Sequence, residues 1–171
     1  MKLKELNGEN VEQVRQWRNQ CLETLRTPFL LTKDMQQRFY EEDVCNRNSR
    51  NRWWGIHVNN GFIGQMGLIN IELENRRAEI SIMINPEYQY KGYGTKAVEL
   101  LLEQGFMHMN LENIWGEVYT CNINGMVFWE RLVKKYNGND AFLKNTKYYN
   151  GRYWNSLWFN IAREDYIKCL K

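Results

Sequence analysis

Proline is scarce in this sequence, two in 171 residues, and so is histidine, also two. So little proline excludes a proline-rich disordered segment, and the chain reads as globular. No apolar run approaches the ~20 residues that span a bilayer, and mean hydropathy is −0.67. No apolar stretch follows Met1-Lys2-Leu3-Lys4, so no export signal and no membrane partner are expected. A cytoplasmic location follows as the default. Cys21, Cys45, Cys121 and Cys169 are scattered, with no C-x-x-C pair and no adjoining histidine cluster. That spacing argues against zinc and against a redox pair, so no metal is expected and the thiols should be reduced. Strong charge of one sign is lacking too. The net charge of +3 suits an anionic ligand such as a phosphorylated cofactor, but is too small to argue for nucleic acid.

What is present is apolar and aromatic: 43% hydrophobic and 14% aromatic residues. That supplies one sizeable core, and residues 1–171 read as a single domain. Leu3 and Leu6 fit a short strand. Val11, Val14 and Trp17 recur at helical spacing, which predicts an amphipathic helix over 10–20. A second helix is expected from Thr32 or Asp34, either of which can cap it. Asn60-Gly61 between two β-prone runs, 53–58 and 62–69, predicts a hairpin in which both turn residues take positive φ. Further strands are expected over 78–84, 114–121 and 153–161, the last closing a hairpin at Asn150-Gly151. Helices are expected over 95–107, 126–133 and from Arg163. The order β-α-α-β-β-β-α-β-α-β-β-α mixes antiparallel hairpins with helical crossovers, so the fold class is α+β with α/β character.

The most informative stretch runs from Ile80 to Lys96 and reads as strand, turn, glycine-bearing loop and helix start. Gly92 and Gly94 let a ligand approach the backbone without a Cβ in the way. The first N–H groups of a helix lack internal partners and sit at the positive end of its dipole. Such a cradle suits a pyrophosphate, and Lys91 and Lys96 can add charge nearby. A plain turn before a helix reads the same residues equally well.

Gln89-x-x-Gly92-x-Gly94 resembles the Gln/Arg-x-x-Gly-x-Gly/Ala pyrophosphate motif of the GNAT superfamily of N-acetyltransferases. The run from Arg76 to Gly92 is similar to the branch holding ribosomal-protein N-terminal and spermidine N-acetyltransferases. Asn122-x-x-Gly125-x-x-x-Trp129, Tyr149-Asn150-Gly151-Arg152-Tyr153 and Ala162-Arg163-Glu164-Asp165-Tyr166 resemble later segments of that branch. The likeness covers residues 54–168.

This resemblance implies a GNAT fold, with helices flanking a mixed, mostly antiparallel sheet of about six to seven strands, splayed at the acyl-CoA site. It implies acetyl-CoA as co-substrate and direct attack by an amine on the thioester. It assigns the pyrophosphate to the backbone of Gln89, Tyr90, Lys91, Gly92, Tyr93, Gly94 and Thr95. The pantetheine arm falls to main-chain groups of Ile82, Met83 and Ile84, and the thioester carbonyl to the N–H near Ile82. Glu79 is the candidate general base, with a surface glutamate paired to Arg76 or Arg77 as the competing reading. Glu72 is the reserve, on the acceptor side. Many relatives carry tyrosine where this chain has Trp129, and indole N–H is no useful acid. Tyr119 is therefore the candidate proton donor to the departing thiolate, unless CoA leaves unaided. Gly125 is a second departure, where Ser or Ala is usual. Asn122 is open to two roles, a pantetheine contact or a strand-end cap.

Arg18, beside Trp17, is a candidate acceptor-site residue, since the first helices of this fold border that site. A small-molecule amine is favoured as acceptor: an amino sugar, a nucleotide-linked amino sugar or a polyamine. The acidic run Glu41-Glu42-Asp43 is the local support for a cationic one. A protein N-terminus and a non-catalytic acyl-CoA-binding module are the alternatives. Exposed strand edges leave room for a homodimer.

Overall fold

The structure, a computed structural model, describes residues 1–170. Seven strands form one sheet: β1 (Lys2–Lys4), β2 (Arg52–Val58), β3 (Gly61–Glu72), β4 (Arg77–Ile84), β5 (Asn113–Tyr119), β6 (Asn139–Tyr149) and β7 (Arg152–Ala162). The helices are α1 (Gly8–Gln20), α2 (Lys33–Phe39), α3 (Tyr93–Glu103), α4 (Ile123–Lys135) and α5 (Arg163–Cys169). The order of elements is the one that the periodicities predict. The sheet order is β1-β2-β3-β4-β5-β7-β6, antiparallel throughout except for β4 against β5. That parallel pair requires a crossover, which α3 supplies.

Local chemistry sets the boundaries. Asn7 caps α1 and Thr32 caps α2 through side-chain oxygens. Two expectations shift in detail. In the first hairpin Val58 pairs with Gly61, so Asn59 and Asn60 form the turn, with φ of 49° and 66°. Asn tolerates the left-handed region well enough to relieve glycine of that task. The helix expected over 95–107 starts at Tyr93 and ends at Glu103, followed by one π turn over Gln104–His108.

One face of the sheet packs on α3 and α4. Ala97, Val98, Leu101 and Leu102 of α3 join Trp129, Leu132 and Val133 of α4 in a core shared with Ile80, Ile114, Leu157 and Phe159. The other face, under α1 and the segment that links it to α2, carries the polar residues described next.

Candidate active site

Two features meet at the C-terminal end of β4. The first is the start of α3. Gly92 sits at φ 80°, where no side chain would fit comfortably. The first helical bond runs from the Lys96 N–H to the Gly92 carbonyl (3.3 Å), and no side chain caps the helix. The N–H groups of Tyr93, Gly94 and Thr95 thus precede the helical ladder, at its positive end. The preceding loop is stiffened internally. Gln89 donates its amide to the Ile84 carbonyl (3.0 Å), and Lys91 Nζ donates to the Glu87 carbonyl (2.8 Å). The backbone N–H of Gln89 is bonded to Pro86, which leaves the later amides to meet an anion. Tyr90, at φ 60°, accepts a hydrogen bond on its hydroxyl from Asn124. Thr95, Phe128, Arg131, Leu132 and Lys135 line a pocket of about 180 Å³ beside this helix start.

The second feature is a fork in the sheet. β4 and β5 pair only over Arg77↔Asn113, Ala78↔Ile114 and Glu79↔Trp115. Beyond Glu79 the strands part, so Ile80 to Ile84 have no β5 partner, while β5 continues to Tyr119 alongside β7. The Asn85 N–H bonds Ile63 of β3, so alternation turns Met83 towards β3 and Ile82 and Ile84 towards the open side. The Ile84 carbonyl is taken there by Gln89, which leaves the backbone groups of Ile82 and the Ile84 N–H without a β5 partner.

At the base of the fork lies a polar cluster. Paired residues share a face and strands alternate, so Glu79, Glu117 and Tyr119 point to the same side. Glu79 is only 5% exposed. The competing expectation, a surface glutamate paired to Arg76 or Arg77, is therefore corrected: Arg77 pairs with Glu72 and Arg76 with Glu112. Glu79 instead accepts from Arg26 Nη2 (2.7 Å) and from Asn70 Nδ2 (2.8 Å). Asn70 reaches it from an irregularity in β3, where the pairing register slips between Ile69 and Glu72. Arg26 also contacts Glu117 (3.3 Å), which accepts from the Tyr119 hydroxyl (3.3 Å). Burial alone would weaken the Arg26 charge, but the contacts and charges of Glu79 and Tyr119 together outweigh it and hold the guanidinium firmly protonated. Burial raises the Tyr119 hydroxyl above the ordinary tyrosine value.

Residues 2–132 match the family model for the acetyltransferase (GNAT) domain. The chain belongs to that family. Among similar GNAT proteins is the spermidine N(1)-acetyltransferase of Escherichia coli strain K12, 32% identical over 104 residues, which are 61% of this chain and 54% of that one. The chain thus spans about half the length of that relative. The spermidine N(1)-acetyltransferase of Vibrio cholerae is 26% identical over 134 residues, covering 78% of this chain and 75% of the other. In fold, the chain resembles the Vibrio cholerae spermidine N-acetyltransferase solved with CoA and spermine. The TM-score is 0.85 at 22% identity, over 97% of both chains. The forked sheet is thus a GNAT sheet.

Other residues singled out from the GNAT motifs have plainer surroundings. Asn122 accepts from the Gly125 N–H (2.9 Å) and caps α4. A Cβ at Gly125 would lie 2.5 to 2.9 Å from the Asn122 side-chain amide, so a larger residue there requires that amide to shift. Trp129 stacks on Phe159 (4.4 Å) and meets Phe128 edge-on, so its ring ties α4 to β7. Glu72 lies at the surface, bonded to Arg77 and Asn75, outside the Arg26 cluster. Arg18 lies on the face of α1 that carries Val11 and Val14, makes no ion pair among the described residues, and has its charge weakened by burial. Of the acidic run, Asp43 is used by Asn51 and Trp53, and Glu41 by Gln37.

Arg26, Asn70 and Glu117 escaped the sequence reading. Glu117 was the findable one, two residues before Tyr119 on the same face of a predicted strand. Arg26 lies in an irregular segment 53 positions from Glu79, and no motif announces it.

Proposed function

We propose that the protein is an N-acetyltransferase that moves an acetyl group from acetyl-CoA to the primary amine of a small molecule. The observation that carries this reading is the fork between β4 and β5, which opens beside an uncapped glycine-led helix start. The amides of Tyr93 to Thr95 bind the pyrophosphate, and the free edge of β4 binds the pantetheine arm, bringing the thioester to the fork. The amine nitrogen attacks the thioester carbon there. As the C–N bond forms, Glu79 accepts a proton from nitrogen, directly or through one water. The C–S bond then breaks, and Tyr119 donates its proton to the departing sulfur. Glu79 stands at the base of the fork and Tyr119 four residues beyond it along β5, and the two are linked through Arg26 and Glu117, which supports these two roles.

For the acceptor, the spermidine acetyltransferases among the similar proteins favour a polyamine. A second reading rests on Arg18, a half-buried cation that makes no ion pair among the described residues. It would suit an acceptor that carries an anionic group as well as an amine, such as a nucleotide-linked amino sugar. The test is thiol release from acetyl-CoA against a panel of polyamines, amino sugars and nucleotide-linked amino sugars, with mass detection of the product. Absence of turnover across the panel, together with no binding of CoA, overturns the proposal.

Self-association is part of the same reading. β6 is an edge strand of 11 residues, and Phe142, Tyr148 and Tyr153 stand exposed on its hairpin. A long edge strand with exposed aromatic residues favours a cover, and a second copy of the chain would provide one. Light scattering on the eluting protein should give a dimer mass or a multiple of it, and Phe142→Glu should lower it. A monomer at micromolar concentration removes this part.

A further inference from the structure

Lys147 is the exception on β6. The eight residues before it are exposed, whereas Lys147 is 5% exposed. It has no carboxylate partner among the described residues. Its Nζ donates instead to the carbonyl of Glu23 and, at 2.7 Å, to that of Leu25. The same ammonium lies over the rings of Tyr119 (4.9 Å) and Tyr149 (5.1 Å). Burial holds its charge below the usual lysine range. A buried ammonium is costly unless acceptors and rings satisfy it, so this placement is demanding.

The carbonyls it binds belong to the segment joining α1 to α2, and the residue next to Leu25 is Arg26. Residues 25–32 form no helix or strand. At the far end Leu31 is fastened by Asn19 and Arg15. At the near end Lys147 is the main anchor, helped by Cys121 Sγ, which also donates to the Glu23 carbonyl (3.2 Å).

We infer that Lys147 is a positioning residue for the acceptor side: by pinning Glu23 and Leu25 it delivers Arg26 to Glu79 and Glu117 and so sets the mouth of the fork. This rests on the fork being the transfer site. An entropic argument supports the fixed strap. An untethered segment would pay the ordering cost of several residues each time an amine is seated. The CoA cradle is built from β4 and α3, which Lys147 does not touch, so its loss should weaken the amine and spare CoA binding, with any change in kcat arising through Arg26 and Tyr119.

The test uses Lys147→Met, Lys147→Arg and Arg26→Gln in the full chain, with spermidine as acceptor probe, or the best acceptor of the panel where spermidine is inert. Hydrogen exchange read by mass spectrometry should show protection lost over 22–26 in Lys147→Met, with the start of α3 unchanged. The acceptor KM should rise roughly tenfold to a hundredfold, while CoA affinity stays within about twofold, and Lys147→Arg should recover part of the loss. Lys147→Met and Arg26→Gln together should cost little more than either alone, because both act through one contact. Should the methionine variant not fold, Lys147→Gln, which keeps a donor, takes its place. Unchanged exchange over 22–26, or equal weakening of amine and CoA, overturns the inference. The exchange measurement needs no turnover: an inactive wild type with loosened 22–26 in the variant overturns the functional reading and leaves the tether standing.

Discussion

Arg26 Nη2 lies 2.7 Å from Glu79 Oε1, a contact between an irregular segment and the last residue of β4 that pairs with β5. The guanidinium therefore sits where the two strands begin to part. Asn70 takes the other carboxylate oxygen, so both oxygens of Glu79 are oriented by partners from separate elements. A carboxylate held in this way has little freedom to swing, as the proposed base role requires.

Glu79→Gln keeps the shape and removes the proton acceptor. Turnover should fall by about a hundredfold or more, with CoA affinity unchanged, since the pyrophosphate cradle lies at the other end of β4. Steady-state rates with the best acceptor, and calorimetry with CoA, check both halves. Wild-type turnover in the variant would remove Glu79 as base.

Tyr119 gives a pH prediction. An acid must hold its proton to work, and burial raises the Tyr119 hydroxyl above its ordinary value. Activity should thus decline only as pH rises through that raised value, on the alkaline side of ~10. Tyr119→Phe should lower kcat by roughly tenfold to a hundredfold and abolish this limb. A phenylalanine variant with full kcat and an unchanged profile would mean that the thiolate leaves unaided.

At Gly92 the backbone, rather than space, sets the constraint. A Cβ there would meet nothing within 4 Å, yet φ is 80°. Gly92→Ala should therefore cost about 1 kcal/mol from conformation alone. The cost should appear mainly as weaker CoA binding, because relaxing φ turns the Tyr93–Thr95 amides away from the anion. Calorimetry with CoA on a variant of near-native melting temperature checks this. Unaltered CoA affinity would show that the amides do not need this geometry.

The elements and the glycine-led, uncapped start of α3 were legible in the sequence because both follow from local rules. Glycines before a helical stripe, asparagines at turns and alternation in strands each act over a few residues. The fork and its cluster were not. The fork depends on how far β4 and β5 pair, and that depends on side chains packed beneath them. The Arg26–Glu79 pair joins residues without a shared motif. The sequence marked Trp129 by its place in a family pattern, but not its packing: its ring is held against aromatic neighbours on α4 and β7. At Gly125 the missing Cβ leaves room for the Asn122 amide as it is placed in the cap of α4.

Gly116 marks the point where packing governs the fork. It lies on β5 between Trp115, the last residue paired with β4, and Glu117 of the polar cluster. On the core side a Cβ would come 2.4 Å from Phe159 and 2.9 Å from Ile80, the first β4 residue past the pairing. The side chains of Ile80 and Phe159 thus fill the space under the opening strands, and β5 can stay close to them only without a side chain. Gly116→Ala should destabilise the protein by about 1–3 kcal/mol through overpacking. It should also push β5 away from β4, lengthening Arg26 to Glu117 before Arg26 to Glu79. Chemical denaturation gives the first quantity, and a fall in kcat larger than the change in CoA affinity reports the second. If alanine is tolerated with both unchanged, the divergence of β4 and β5 is not governed by this contact.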